Sequence, residues 1–274
     1  MNNIENNKAI NNKIILSGVG AGLLEHYIGY IPRTILDHNQ TNKNYFKSNG
    51  HILREIYNKN GLRGFFTGNL PMISSISLSH AWFFYLYEKN KYTQTPYLSI
   101  LYSAIAKIGH DILMIPGDII RMRTNISGQN NLQVIKSIYK TGGIGGFFNS
   151  SPYVLAMNIP SGIIEFTIMK NCSQRFGDEN YKIFLYGGIA GISSSIVNNP
   201  LDIIKTHIQS QGLKNQFTND IIPNYNSGYD VFKNLYKDFG LRGFLRGAPL
   251  RSFQCSICYG SYELINSFNF LEKS

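Results

Sequence analysis

Apolar residues along the chain gather into six segments of roughly membrane length. Five of them cover 14–36, 69–87, 97–123, 152–170 and 248–265, and another leads into Pro200. None is an unbroken run of about 18 apolar residues, the usual signature of a span. Each carries Ser, Asn, His or a charge on part of its circumference. That pattern predicts helices with one face toward lipid and the other lining a water-filled interior. Shorter amphipathic stretches lie between them. Residues 47–58 carry Ile52, Leu53 and Ile56 on an apolar stripe, and 132–140 and 229–238 read the same way. Glycine-rich loops follow, at Gly61–Gly68, Gly143–Phe148 and Gly240–Gly247. A soluble helical solenoid is the other architecture such a pattern allows. The glycine-rich loops and the aromatic content of the segments argue against it.

The order of elements repeats three times. Pro116-Gly117-Asp118-Ile119-Ile120-Arg121-Met122-Arg123 closes one apolar run, and Pro200-Leu201-Asp202-Ile203-Ile204-Lys205 closes another. A worn copy stands at Pro32-Arg33-Thr34-Ile35-Leu36-Asp37. Positions 32, 116 and 200 are separated by 84 residues in each case. A fixed period of this kind marks a repeat architecture. Gly18 with Gly22, and Gly187 with Gly191, form GxxxG pairs that let helices approach closely. Pro32 is placed to kink or end the first helix. A polar insertion from about Gln211 to Asn226 lengthens the third unit.

Composition sharpens this picture. Charged residues make up 15% of the 274, and aromatic residues 13%, with 18 Tyr and 17 Phe. Low charge with abundant tyrosine suits a membrane protein, because tyrosine favours the membrane–water interface. The net charge is +10. Lys and Arg sit at segment ends rather than in a stripe, which fits anionic lipid head groups and not nucleic acid. Cys172, Cys255 and Cys258 are too few and scattered for a disulfide framework. Residues 1–13 read as an asparagine-rich disordered tail that is neither a secretory signal nor an amphipathic transit peptide. A single domain is expected over 14–274, with repeats at 14–92, 96–175 and 180–270. No nucleophile, base and orienting group stand together, so an enzyme is not indicated.

These motifs resemble the mitochondrial carrier family over nearly the whole chain. The resemblance rests on Pro-x-acid-x-x-base-x-base closing the odd helices and on the glycine loops before the even ones. It implies an all-α membrane protein of six transmembrane helices in three pseudo-repeats, with short matrix helices, around a threefold pseudo-axis. It also implies a multi-pass monomer in the mitochondrial inner membrane, among lipids that include cardiolipin, working by alternating access between two charged gates.

In that scheme the acid of each repeat pairs with the base of the next. Asp118 with Lys205 fits. Asp202 would meet the first repeat's base, where Asp37 stands, and Arg121 would meet its acid, where Thr34 stands. Two of three bridges at this gate are therefore expected to be missing, with one like-charge contact. The other gate uses aromatic-acid-x-x-base. Tyr87-Glu88-Lys89-Asn90-Lys91 keeps it, the fourth helix has Met169-Lys170 with Ser173, and the sixth has Tyr262-Glu263 with Asn266. Only Glu263 with Lys91 forms a pair there. Both gates are thus expected to close loosely.

Within the family the chain is most similar to mitoferrin-type iron carriers. The residues concerned are Ala21-Gly22-Leu23-Leu24-Glu25-His26, Ser79-His80-Ala81-Trp82 through Tyr87-Glu88, His110-Asp111, and Met157-Asn158-Ile159-Pro160. The resemblance implies that His26, His80, Met157 and Asn158 contact the substrate, with His26, His80 and Met157 as metal ligands. Ferrous iron accepts imidazole readily and tolerates sulfur, and it is the transported substrate rather than a bound cofactor. His26 and His110 both lie six residues before their repeat's proline, at one depth, with Ser194 as the third-repeat equivalent. Helical offsets place His26 at the cavity border. A membrane histidine also serves simply to bond a neighbouring helix, and Met157 also serves as packing. His38, His51 and His207 receive no iron role.

The sixth helix is about one turn short, since Gly247 to Tyr262 spans 15 residues where Gly68 to Tyr87 spans 19. Counting from either end brings Cys255 to the third contact point, as an extra soft ligand or a small packing residue. Two other functions stand against iron transport. One is carriage of an organic solute such as S-adenosylmethionine, a nucleotide or an amino acid, for which Lys107, Glu165 and Arg251 are the few charged candidates. The other is a degenerate carrier acting as a membrane adaptor, which the missing bridges would favour.

Overall fold

The computed structural model describes residues 2–41, 49–91, 93–177, 179–217, 221–241, 244, 256–257 and 259–261. The long helices are α1 (Asn2–Thr41), α3 (Asn69–Lys91), α4 (Pro96–Ser127), α6 (Ser151–Phe176) and α7 (Asn180–Ser210). The short ones are α2 (Asn49–Asn60), α5 (Asn131–Gly142) and α8 (Gly228–Phe239), and 3-10 turns cover Leu62–Phe66 and Ile144–Phe148. The expected all-α bundle of three repeats is present. Most of the sixth segment, with its missing turn, lies outside the described residues, although 256–257 and 259–261 are helical.

Local chemistry sets the element ends. Pro96 opens α4, and Gly128 at φ 70° closes it with its N–H on the Thr124 carbonyl. Asn130 and Gln133 cap α5 reciprocally in a capping box. The three short helices stop in the same way. Gly61, Gly143 and Gly240 have φ of 60°, 57° and 59°, and each donates its N–H to the carbonyl of a tyrosine four residues earlier. Positive φ favours glycine, so the turn out of each short helix begins alike in all three repeats.

The core follows the period as well. Ile35, Ile119 and Ile203, 84 residues apart, each seat a buried cluster under a short helix. Ile52, Ile56 and Phe65 complete the first, Val134 and Ile138 the second, and Val231, Leu235 and Phe244 the third. Each fully buried aliphatic side chain contributes about 1.5–3 kcal/mol, so these clusters anchor the proline end of the bundle.

One reading of the sequence is narrowed here and another corrected. Pro32 does not end its helix, because α1 continues to Thr41. Pro116 and Pro200 likewise lie inside α4 and α7. The backbone is also helical from Asn2, through the stretch read as a disordered tail. No glycine or proline interrupts it between Asn2 and Ser17. By length and hydropathy, Ile14–His38 and Pro96–Ser127 qualify as membrane spans among the described residues.

The GxxxG reading explains how α1 meets α3. A Cβ on Gly18 would stand 3.0 Å from the His80 carbonyl oxygen, and one on Gly22 would stand 2.3 Å from the His80 ring. Only a hydrogen at these positions lets the helices come this close and admits an imidazole between them.

Candidate functional site

A cavity of about 180 Å³ lies on the bundle interior between α1, α3, α4, α6 and α7. Its wall includes His26, His80, His110, Met157, Asn158 and Glu25. The three imidazoles meet edge to face, with ring centroids 5.2 Å apart for His26 and His80 and 5.0 Å for His80 and His110. His26 is part of the cavity wall, beside His80.

Each ring is held by neighbours. His80 is buried, with Nδ1 3.2 Å from the Ile76 carbonyl oxygen and Nε2 3.2 Å from Glu25 Oε2. His110 Nδ1 lies 3.1 Å from Asp111 Oδ1, and Asn158 Nδ2 donates to that same oxygen at 2.9 Å. Asn158 thus reaches the histidine cluster through Asp111. Met157 is buried in the same wall. Glu25, His26 and His80 place one ligand atom each within 4.8 Å of one another. A carboxylate with imidazoles is a donor set that suits a divalent first-row metal.

Toward the end of the cavity remote from the prolines lies a cluster of aromatic rings, of which Phe83 and Tyr259 line the cavity. Phe83, Phe84, Tyr87, Phe166 and Tyr259 are buried in one cluster, with centroid separations such as 5.2 Å for Phe83 and Phe166 and 5.6 Å for Tyr87 and Tyr259. Lys107 spans this layer's inner surface. Its Nζ lies 3.2 Å from Glu165 Oε2 and 5.0 Å from the Phe83 centroid. Glu88, beyond the layer, is buried, and Lys170 donates to the Thr93 carbonyl at 2.6 Å. Cys255, Glu263, Arg251 and the Lys91 side chain lie outside the described residues.

The proline end is closed by an ionic ring. Lys205 Nζ donates to Asp118 Oδ2 at 2.7 Å. Arg121 donates to Asp118 Oδ1 at 3.0 Å and, through Nη1, to Asp37 Oδ2 at 2.6 Å. Arg33 adds contacts of 3.5 Å to Asp37 and 3.9 Å to Asp118. Asp202 lines the same end of the cavity. The expectation of an Arg121 without its acidic partner is therefore wrong. The acid has moved three residues along α1, from the position of Thr34 to Asp37, and the long guanidinium reaches it. Thr34 instead donates to the Phe65 carbonyl at 3.0 Å. Arg33 supplies the first repeat's cation. Gly68, at φ 81°, lets the loop before α3 press on this ring, since a Cβ there would stand 2.9 Å from the Arg121 Cα.

Reading the sequence missed three participants, namely Glu25, Arg33 and Asp111. A carboxylate inside an apolar helix was the available signal for Glu25 and Asp111, because intramembrane ionisable groups are costly and tend to be functional. Arg33 sits between Pro32 and Thr34, where the motif assigns no charge.

A family model described as mitochondrial carrier protein matches residues 12–98, 92–180 and 178–271. "Mitochondrial RNA-splicing protein MRS4" of Saccharomyces cerevisiae is 29% identical over 277 residues, covering 93% of this chain and 90% of its own. "Mitoferrin" of Dictyostelium discoideum is 27% identical, covering 91% of each chain. "Mitoferrin-1" of Rattus norvegicus is 25% identical, covering 92% of this chain and 82% of its own. Three family-length matches fall on the three structural repeats, one after another, and the chain belongs to the mitochondrial carrier family, a family of transporters rather than enzymes.

Proposed function

We propose that the protein carries ferrous iron across the mitochondrial inner membrane into the matrix by alternating access. One observation carries this reading. Three imidazoles and Glu25 converge on one cavity that lies between an aromatic cluster and an ionic ring. His26 and His80 take the ion, His110 stands beside them, and Met157 offers a sulfur from the α6 wall. Such a set is weak and exchangeable, as a carrier requires, because among the described residues three ligand groups, Glu25, His26 and His80, gather within 4.8 Å rather than a cage of four. Relatives that bear the name mitoferrin support the same cargo.

The size and charge of the cavity also favour a small cation. Sites for drug-sized ligands usually exceed about 300 Å³, and this one is about 180 Å³. Lys107 is paired with Glu165, which leaves a poor seat for a polyanion. The Arg121–Asp37 and Lys205–Asp118 pairs weaken the argument that missing bridges make for a degenerate adaptor. The carrier works as a monomer among anionic lipids such as cardiolipin, and its basic segment ends meet their head groups. Uptake of radioactive iron into proteoliposomes tests the reading. Wild-type protein should take up ferrous iron, and His26→Ala and His80→Ala should each abolish most of the uptake. Uptake no faster than in empty vesicles would refute it.

A further inference from the structure

The acids around the cavity differ in what they face. Glu165 is set against the Lys107 ammonium, and Asp118 and Asp37 are set against Arg121, Arg33 or Lys205. Asp111 is engaged by His110 and the Asn158 amide. Glu25 is set against an imidazole, with Oε2 3.2 Å from His80 Nε2. The other nitrogen of that ring lies 3.2 Å from the Ile76 carbonyl. A neutral His80 can therefore keep its proton on Nδ1, donate it to the carbonyl, and offer the Nε2 lone pair toward Glu25. Metal-binding histidines are commonly oriented in this way, with a backbone carbonyl holding the second nitrogen.

From this geometry we infer that Glu25 is a direct ligand of the transported cation, binding it together with His80 Nε2 and a His26 nitrogen. The inference rests on the cation reading above and extends it by one residue. The carboxylate supplies an anionic oxygen to a divalent ion that the imidazoles and the Met157 sulfur can bind but not neutralise. It also tilts the set toward ferrous and manganous ions, which accept oxygen donors well, and away from softer monovalent copper.

The test is Glu25→Gln. Glutamine keeps the shape and carries both an amide N–H that can donate to the His80 Nε2 lone pair and an oxygen that can accept in the other tautomer, so a purely structural contact survives while the charged ligand is lost. Two readouts are taken on purified full-length carrier. Manganous ion binding, followed by electron paramagnetic resonance, should weaken roughly tenfold or more in the variant, with an unchanged melting temperature. Ferrous uptake by proteoliposomes should fall in parallel. Wild-type binding of manganous ion that Glu25→Gln leaves unaltered overturns the inference, as does wild-type protein that binds none. If the wild type binds manganous ion, loses that binding in Glu25→Gln and yet transports no iron, then the iron reading fails while the Glu25 site stands. Should Glu25→Gln lower the melting temperature, Glu25→Asp decides. Binding retained with the shorter acid supports a ligand role, and binding as weak as in the glutamine variant overturns it.

Discussion

Arg121 Nη1 donates to Asp37 Oδ2 at 2.6 Å, across 84 residues of sequence and between two buried side chains. Asp37 occupies the position where the repeat calls for a base. The ring at the proline end is therefore permuted rather than broken. Two acids, Asp37 and Asp118, alternate with Arg121, Lys205 and Arg33. Removing one partner of a buried pair leaves an uncompensated charge and costs about 3–5 kcal/mol.

Asp37→Lys should therefore destabilise the carrier, even though lysine is what the repeat pattern asks for at this position. The new ammonium would stand against Arg121. The melting temperature of the detergent-solubilised protein should fall, and Thr34→Asp added to Asp37→Lys should not restore it fully, because Thr34 is buried against the Phe65 carbonyl. The exchange Asp37→Arg with Arg121→Asp should recover much of what either change loses alone. A melting temperature unaffected by Asp37→Lys would contradict the pairing.

Periodicity made the fold legible. The 84-residue spacing of the prolines put Ile35, Ile119 and Ile203 in equivalent places, and the structure buries all three. The histidine cluster was half legible. Motif and depth singled out His26, His80 and His110, but a helical offset could not supply the distance between α1 and α3, which Gly18 and Gly22 determine. The ionic ring was misread because alignment by position assumes that charge stays in register. A guanidinium on a long stem reaches an acid one turn away, and no spacing rule encodes that reach. Arg33 was hidden for the same reason.

Gly22→Ala should disable the site without touching a ligand. Its Cβ would stand 2.3 Å from the His80 ring and 2.7 Å from Nδ1, so His80 must rotate away from the Ile76 carbonyl and from Glu25. Iron uptake should drop about as far as in His80→Ala. Overpacking of this kind typically costs about 1–3 kcal/mol, so the melting temperature should fall as well. Gly61→Ala serves as a comparison, because nothing lies within 4 Å of a Cβ there, although its φ of 60° strains the alanine. Gly61→Ala should lower stability while leaving uptake per folded protein near wild type.

Asn158 acts through Asp111. Its amide fixes the carboxylate oxygen that His110 Nδ1 meets at 3.1 Å. Asn158→Ala should free that carboxylate to turn and should loosen the third imidazole. Loss of such a supporting partner commonly weakens metal affinity by about 10–100-fold. The expected result is a raised KM for ferrous uptake with a smaller change in maximal rate. Asn158→Asp, which sets a second acid against Asp111, should be worse than alanine. An unchanged KM in Asn158→Ala would separate α6 from the cluster.

The polar insertion in the third repeat folds back across the proline end and joins the other two repeats. Gln216 donates its backbone N–H to the Ile126 carbonyl at 2.9 Å and its side-chain amide to the Asn125 carbonyl at 2.7 Å. Lys59 of α2 donates to the Gln216 carbonyl and lies 5.2 Å from the Phe217 centroid. Phe217 packs edge-on against His38 with centroids 4.7 Å apart, while Ile222 is buried with Met122 and Ile126. This strap holds α1, α2 and α4 together just below the Arg121 ring, and it would have to give way in any opening of the proline end. Edge-to-face ring pairs are worth about 0.5–1.5 kcal/mol beyond their burial. Phe217→Ala should therefore raise amide hydrogen exchange across 213–217 and in α2, and leave exchange in α6 unchanged. Equal exchange in the variant and the wild type would mean that the strap bears no part of the closure.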